Sequence, residues 1–376
     1  MERRDFLRRA AELAVAGLAT GSAPVAAQST AVVRSVLGPV PPDQLGAVLM
    51  HEHAATVDWS ELYETPAAPV GPPGNEIETT LLNHAEASLR AWHDSLPEPL
   101  RPGTIVDATP IRVGRHPSLL VKLARRVPVR IVACTGFWCE AMAPQHPWAL
   151  RLGLEKDGVR RIADLYIREI RDGMEDPSAP WGARFTGVRA GIIKCATSAY
   201  LRPSERRCHE AAAIACRETG CPITTHTTNG GGLEQAQLFL KNGVKPEKII
   251  IGHMGNMDDR EHAEPSDYHR RIAELGCYVQ FDRVGHSQYQ VEKMARLIKA
   301  LADAGHADRL LVGHDHVPSA YRRYADAEKP AAGWQQNKVD FSIATTRLTA
   351  ALGELGVSGN VVRAMLVENP RRVLAF

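Results

Sequence analysis

Ala47-Val48-Leu49-Met50 is an unbroken apolar run that passes directly into the polar triplet His51-Glu52-His53. A strand apolar on both faces belongs in a parallel sheet covered on both sides. Alternation along such a strand puts His51 and His53 on one face and Glu52 on the other. Seven further runs share this character: Thr104–Asp107, Arg130–Cys134, Ala190–Ala196, Pro222–Thr225, Lys248–Gly252, Tyr278–Phe281 and Arg309–Val312. Helical stripes separate them, as in Val291, Met294, Ala295, Ile298, Leu301 and Ala302, which fall on one face at the helical period. Gly173, Gly220, Gly243, Gly276 and Gly305 stand where such stripes stop. Eight strand-and-helix units in about 300 residues predict one α/β domain, a closed (β/α)₈ TIM barrel. Extra C-terminal helices are expected over Val339–Leu355 and Ser358–Val367. A doubly wound open sheet is the alternative, and its G-x-G-x-x-G turn is missing.

The composition agrees with an ordinary enzyme-sized domain. The chain has 376 residues, a formal net charge of +2, 44% hydrophobic and 6% aromatic residues. That apolar content excludes disorder and fibrous classes, and the balanced charge with few aromatics argues against a nucleic-acid partner. Seven irregularly spaced cysteines make no disulfide framework. At the N-terminus, Arg3-Arg4-Asp5-Phe6-Leu7 opens a mildly apolar segment that ends in Val25-Ala26-Ala27. This pattern predicts a twin-arginine signal peptide over residues 1–27, cleavage after Ala27, and export to the periplasm by the twin-arginine machinery. Residues 28–376 then form the barrel. Two long connections, from Ala54 to Asn75 and from Val317 to Asn337, read as lids without regular structure.

What stands at the strand ends carries the chemistry. His51 and His53 end the first strand, His226 the fifth, His253 the sixth, and His314-Asp315 the eighth. Active sites of (β/α)₈ enzymes form at this C-terminal end. Histidines and an aspartate gathered there could coordinate two divalent ions, with zinc the expected metal for this mix of N and O donors. His84, His93, His146, His209, His262, His269 and His306 fall in helices or loops and take a structural reading. Lys194 interrupts the apolar strand Gly191-Ile192-Ile193-Lys194-Cys195-Ala196. Burial favours its neutral amine, which can add carbon dioxide to give a carbamate able to bridge two metals. A snorkelling lysine paired with a carboxylate is the other reading.

These residues resemble the phosphotriesterase family of the amidohydrolase superfamily. The resemblance runs through His51-Glu52-His53, Val106-Asp107-Ala108-Thr109, Thr135-Gly136-Phe137-Trp138, Lys194, Thr225-His226-Thr227, Gly252-His253, Phe281-Asp282-Arg283, Gly313-His314-Asp315 and Glu368-Asn369-Pro370. It implies that His51, His53 and Asp315 hold a buried ion and His226 and His253 an exposed one. Lys194, as its carbamate, would bridge them with a hydroxide. The implied reaction is attack of that hydroxide on a carbonyl or phosphoryl centre, with Asp315 passing the proton outward. Glu52 and Asp282 are candidate orienting partners or structural carboxylates.

Substrate signals divide. Arg283 resembles the lactonase branch of the family, where an arginine lies beside the substrate, whereas Trp138 stands where lactonases usually carry a tyrosine and looks more like the triesterase branch. The expected activity is hydrolysis of a lactone or related carboxyl ester, with organophosphate triester cleavage as a side activity. The alternatives are a primary phosphotriesterase, a one-metal hydrolase with an ordinary Lys194, and a non-catalytic exported metal-binding barrel. Dimerisation is an expectation drawn from relatives.

Overall fold

The computed structural model describes residues 31–57, 76–139, 152, 155–179, 182–228, 230–256, 265–286, 291–318, 320–322, 333–335 and 340–376. Eight strands pair in parallel in chain order: β1 (Val48–Glu52), β2 (Thr104–Asp107), β3 (Arg130–Gly136), β4 (Ile192–Ala196), β5 (Ile223–His226), β6 (Ile249–Ile251), β7 (Tyr278–Phe281) and β8 (Leu310–Val312). The seam closes just beyond the strand ends. Glu52 bridges His316 in parallel, Asp315 donates its N–H to His51 C=O at 2.9 Å, and His53 donates to His316 C=O at 2.9 Å. The fold is the predicted (β/α)₈ barrel, with each strand found within a few residues of its expected place.

Helices α1 (Glu76–Ser95), α2 (Pro117–Ala124), α3 (Gly158–Arg171), α4 (Pro203–Thr219), α5 (Gly232–Lys241), α6 (Pro265–Glu274) and α7 (Val291–Asp303) connect the strands. Gly220 ends α4 at φ +78°, a left-handed stop that glycine takes without steric penalty. After β8 the expected continuous helix is interrupted. A π-helical turn over Ala344–Leu348 runs into Thr349–Glu354, and a second, Ala364–Glu368, joins Gly359–Arg363 to Asn369–Leu374. The expected lids carry regular structure as well. Thr56–Val57 pairs with Ala320–Tyr321, and Ala320–Arg322 pairs with Gly333–Gln335, so the two long connections share a small sheet. The segment expected as a signal peptide, residues 1–27, lies outside the described residues.

Two apolar layers surround the strands. Leu49, Ile105, Ile131, Ile193, Ile223, Ile251 and Val279 pack outward against the helices. Val48, Met50, Val106, Val132, Cys134, Ile192, Ile250, Tyr278 and Leu311 fill the interior. Val33, Leu45, Val373 and Leu374 join this inner cluster and plug the N-terminal end, where Phe376 and Val32 exchange backbone hydrogen bonds of 3.2 and 3.1 Å.

The inner set exposes a feature of β1 that simple alternation misses. With Val48 and Met50 inside, strict alternation would turn His51 outward. Pairing with β2 instead runs Leu49 against Ile105 and Glu52 against Asp107, so β1 spends three steps where β2 spends two. This bulge resets the phase, and His51 faces the barrel axis while Glu52 faces the helices.

Candidate active site

His51, released inward by the bulge, is fully buried. Its Nδ1 lies 2.8 Å from Asp282 Oδ2 and its Nε2 lies 2.8 Å from Lys194 Nζ. Asp282 also takes the Nδ1 of His253 at 2.6 Å on its other oxygen, and the backbone N–H of His253 at 3.1 Å. Gln280, two residues earlier on the same face of β7, donates its amide to Asp282 at 2.7 Å. One carboxylate therefore engages two imidazoles at Nδ1, which leaves both Nε2 atoms aimed at the centre.

Those atoms meet Asp315. Ligand atoms of His51, His253 and Asp315 all lie within 4.8 Å of one another. His53 Nε2 stands 3.0 Å from Asp315 Oδ1, and His226 Nδ1 stands 2.6 Å from His253 Nε2. All five strand-end residues expected as ligands thus gather with Lys194 at the C-terminal mouth. The tightest trio crosses the division implied by the resemblance, since it joins His253 to His51 and Asp315. His314 does not enter. Its ring faces the helices, with Nδ1 2.9 Å from Glu52 and Nε2 accepting the Ala344 N–H at 3.0 Å.

Three of the site residues stand in the left-handed backbone region: His253 at φ +59°, Arg283 at +65° and Asp315 at +53°. Non-glycine residues there store roughly 1–3 kcal/mol of strain each, and such residues concentrate at functional sites. At β3, Gly136 (φ +110°) admits no side chain, because a Cβ would fall 1.9 Å from the Lys194 carbonyl oxygen. That close approach seats the third-strand loop against β4.

Protonation follows from burial. Desolvation, then the Lys194 charge, lowers His51 to about 3. Burial likewise depresses His226, helped by His253, and it depresses His253 against the pull of Asp282. All three are neutral imidazoles at pH 7, the form that donates to metals. Burial alone would raise Asp282 and Asp315, yet the facing histidines outweigh it and hold both carboxyls well below the usual range. Lys194 is lowered to about 8, chiefly by desolvation, with Asp315 and Asp282 opposing. Its amine therefore gives up its proton much closer to neutrality than a solvated lysine does.

The flanks carry the two expected substrate residues. Arg283 Nε donates to Asp315 Oδ2 at 2.8 Å, and its Nη2 lies 3.5 Å from His253 Nε2. Trp138 is half-buried, edge-on to His226 with ring centres 4.5 Å apart and 5.6 Å from Lys194 Nζ. Both sit beside the cluster. The carboxylates divide as two roles: Asp282 orients two of the clustered imidazoles, whereas Glu52 secures the seam and touches none of them. Gln280 escaped the sequence reading, although its place two residues before Asp282 puts it on the same face. His209 and His269 bond to backbone carbonyls of Glu205 and Met254, as structural histidines should.

Residues 31–374 match the phosphotriesterase family. The chain belongs to that family. A "phosphotriesterase homology protein" of Mycobacterium tuberculosis is 28% identical over 342 residues, covering 89% of this chain and 95% of the relative. An aryldialkylphosphatase of Saccharolobus solfataricus is 28% identical, covering 87% and 94%. A phospho-furanose lactonase of Mycoplasmopsis synoviae is 28% identical, covering 91% of each. Among solved structures, the organophosphorus hydrolase from Deinococcus radiodurans superposes with a TM-score of 0.72 at 27% identity, covering 94% of this chain and all of that one. Phosphotriesterase-family relatives of this chain therefore include hydrolases named for phosphotriesters and for lactones.

Proposed function

We propose that this chain is an exported binuclear zinc hydrolase that opens lactones or related carboxyl esters, with organophosphate triester cleavage as a side activity. The supporting observation is the donor cluster itself: neutral His51 and His253 and ionised Asp315 within 4.8 Å, with Lys194 beside them and Arg283 on the rim. These donors fit two zinc ions in number and chemistry. His51, His53 and Asp315 would hold one and His226 and His253 the other. Lys194 would lie between them as a carbamate, formed when its neutral amine adds to carbon dioxide and releases a proton. When bound, the ions supply an activated water at neutral pH and polarise the ester oxygen.

The chain's own residues do the rest. Asp315, held as a carboxylate, accepts the nucleophile's proton on the oxygen that faces Arg283. Arg283 places a permanent positive charge where the carbonyl oxygen of a lactone gathers negative charge. Trp138 walls the side next to His226 against water and packs the acyl chain. A second reading, primary phosphotriester cleavage, draws on the same indole, whose edge-on contact with His226 would also face an aryl leaving group. Export to the periplasm with removal of residues 1–27 belongs to the same proposal, as does a homodimer.

The test compares kcat/KM of zinc-loaded mature protein on aliphatic lactones and an aryl dialkyl phosphate, with Asp315→Asn as control. A lactone preference abolished by the substitution supports the carbonyl reading. A triester preference moves the assignment to the second reading, and no zinc-dependent turnover on either removes both.

A further inference from the structure

Two of the site's imidazoles share one orienting carboxylate, and a third is oriented by other means. Asp282 serves His51 and His253 at Nδ1. His53 Nδ1 lies instead 2.8 Å from Thr109 Oγ1. Thr109 is itself fixed from several sides. Its backbone N–H donates to Asp107 Oδ1 at 3.0 Å, and its carbonyl accepts the Cys134 thiol at 3.1 Å. The second oxygen of Asp107 accepts the N–H of Ala54, the residue after His53, at 2.8 Å. Asp107 and Thr109 are both buried, and a β-branched side chain has few rotamers to choose from. Asp107 thus clamps the backbone behind His53 and the backbone of Thr109 in front of its ring.

We propose that Thr109 is a positioning residue for His53. Its hydroxyl accepts the Nδ1–H of His53 while Asp107 holds the Thr109 backbone N–H, a relay that does for His53 what Asp282 does directly for its two histidines. The relay selects the tautomer whose Nε2 lone pair faces Asp315, and it stops the ring from turning over. Threonine suits the place because a neutral hydroxyl can accept the Nδ1–H, whereas a directly contacting carboxylate would add a second buried anion next to Asp315. This inference rests on the zinc reading of the site and is independent of the substrate.

The test uses Thr109→Val, which keeps the shape and removes the hydroxyl, and Thr109→Ser, which keeps the hydroxyl. Zinc affinity is measured by competition with a chelating dye, and the His53 tautomer by ¹⁵N NMR of histidine-labelled protein, with thermal unfolding to check the fold. Thr109→Val is expected to weaken one of two zinc sites by about 10- to 100-fold and to lose the Nδ1–H signature, while Thr109→Ser retains both. Wild-type binding with an unchanged Thr109→Val variant overturns the relay alone. Equal losses in both variants also overturn it, because packing rather than the hydroxyl would then be responsible. Wild-type protein that takes up no zinc overturns the metal reading and the relay with it.

Discussion

Replacing Glu52 by alanine removes a side chain that holds the barrel seam from the helix side. Glu52 Oε1 accepts the backbone N–H and the Nδ1–H of His314 at 2.8 and 2.9 Å, and Oε2 accepts the N–H of His316 at 3.1 Å. All three donors are buried, and each left without a partner costs about 1–3 kcal/mol. The alanine variant should therefore lose roughly 3–9 kcal/mol, a large part of the ~5–15 kcal/mol that a folded domain has in total. Glu52→Gln separates the contributions. Its amide oxygen can keep the two His314 donors while its –NH₂ faces the His316 N–H, so one donor is orphaned and the loss should be about 1–3 kcal/mol. Urea unfolding followed by circular dichroism gives both numbers. Hydrogen exchange locates them, with protection of the His314 and His316 amides falling first. An alanine variant within about 1 kcal/mol of wild type, or a glutamine variant as unstable as alanine, would refute this account of the seam.

Other substitutions test other parts. Asp282→Asn should put an amide –NH₂ against one of two Nδ1–H groups and reorient that imidazole, weakening zinc binding by about 10- to 100-fold in dye competition; unaltered affinity would show that the ligands need no such partner. Arg283→Ala removes the charge proposed to meet the carbonyl oxygen of a lactone; with a charge-assisted hydrogen bond to substrate worth about 1.5–3 kcal/mol, kcat/KM on lactones should fall by roughly 10- to 150-fold, and a loss confined to phosphotriesters would contradict the role given to it. His209 supplies a pH prediction away from the site. Burial lowers it to about 4 from 6.5, so between those values the unfolded chain binds the extra proton, and stability falls on acidification by up to about 3 kcal/mol. His209→Gln should flatten that slope in urea unfolding at pH 7 and pH 4.5; an unchanged slope would assign the acid sensitivity elsewhere.

The barrel was legible because buried parallel strands leave long apolar runs that no solvated strand imitates, and because its clustered histidines and aspartate stand at strand ends in a repeating place. The interior position of His51 was also anticipated, though by an alternation that the bulge interrupts; a one-residue slip leaves no mark in composition. Glu52 and Asp282 looked alike as strand-end carboxylates, and only tertiary pairing, with His314 in one case and with two facing imidazoles in the other, tells them apart. Thr109 was part of a recognised motif without a role, since its role depends on the approach of β1 and β2. The sheet shared by the two long connections joins residues more than 260 positions apart, as Thr56 against Ala320, and no local pattern announces such a pairing. The π-helical turns after β8 likewise keep an ordinary helical periodicity in sequence.

The extra residue in β1 sets a condition on transplanting this chemistry. A designer who wrote His-Glu-His over the last three residues of a regular barrel strand in the same phase would send both imidazoles into the helix layer and the glutamate into the lumen. Correct residue types would then build an inverted site. The graft needs an insertion as well as substitutions, whereas deleting Met50 from this barrel's own first strand should iron out the bulge, keep Leu49 against Ile105 and Glu52 against Asp107, and leave His51 facing inward with one inner apolar side chain lost.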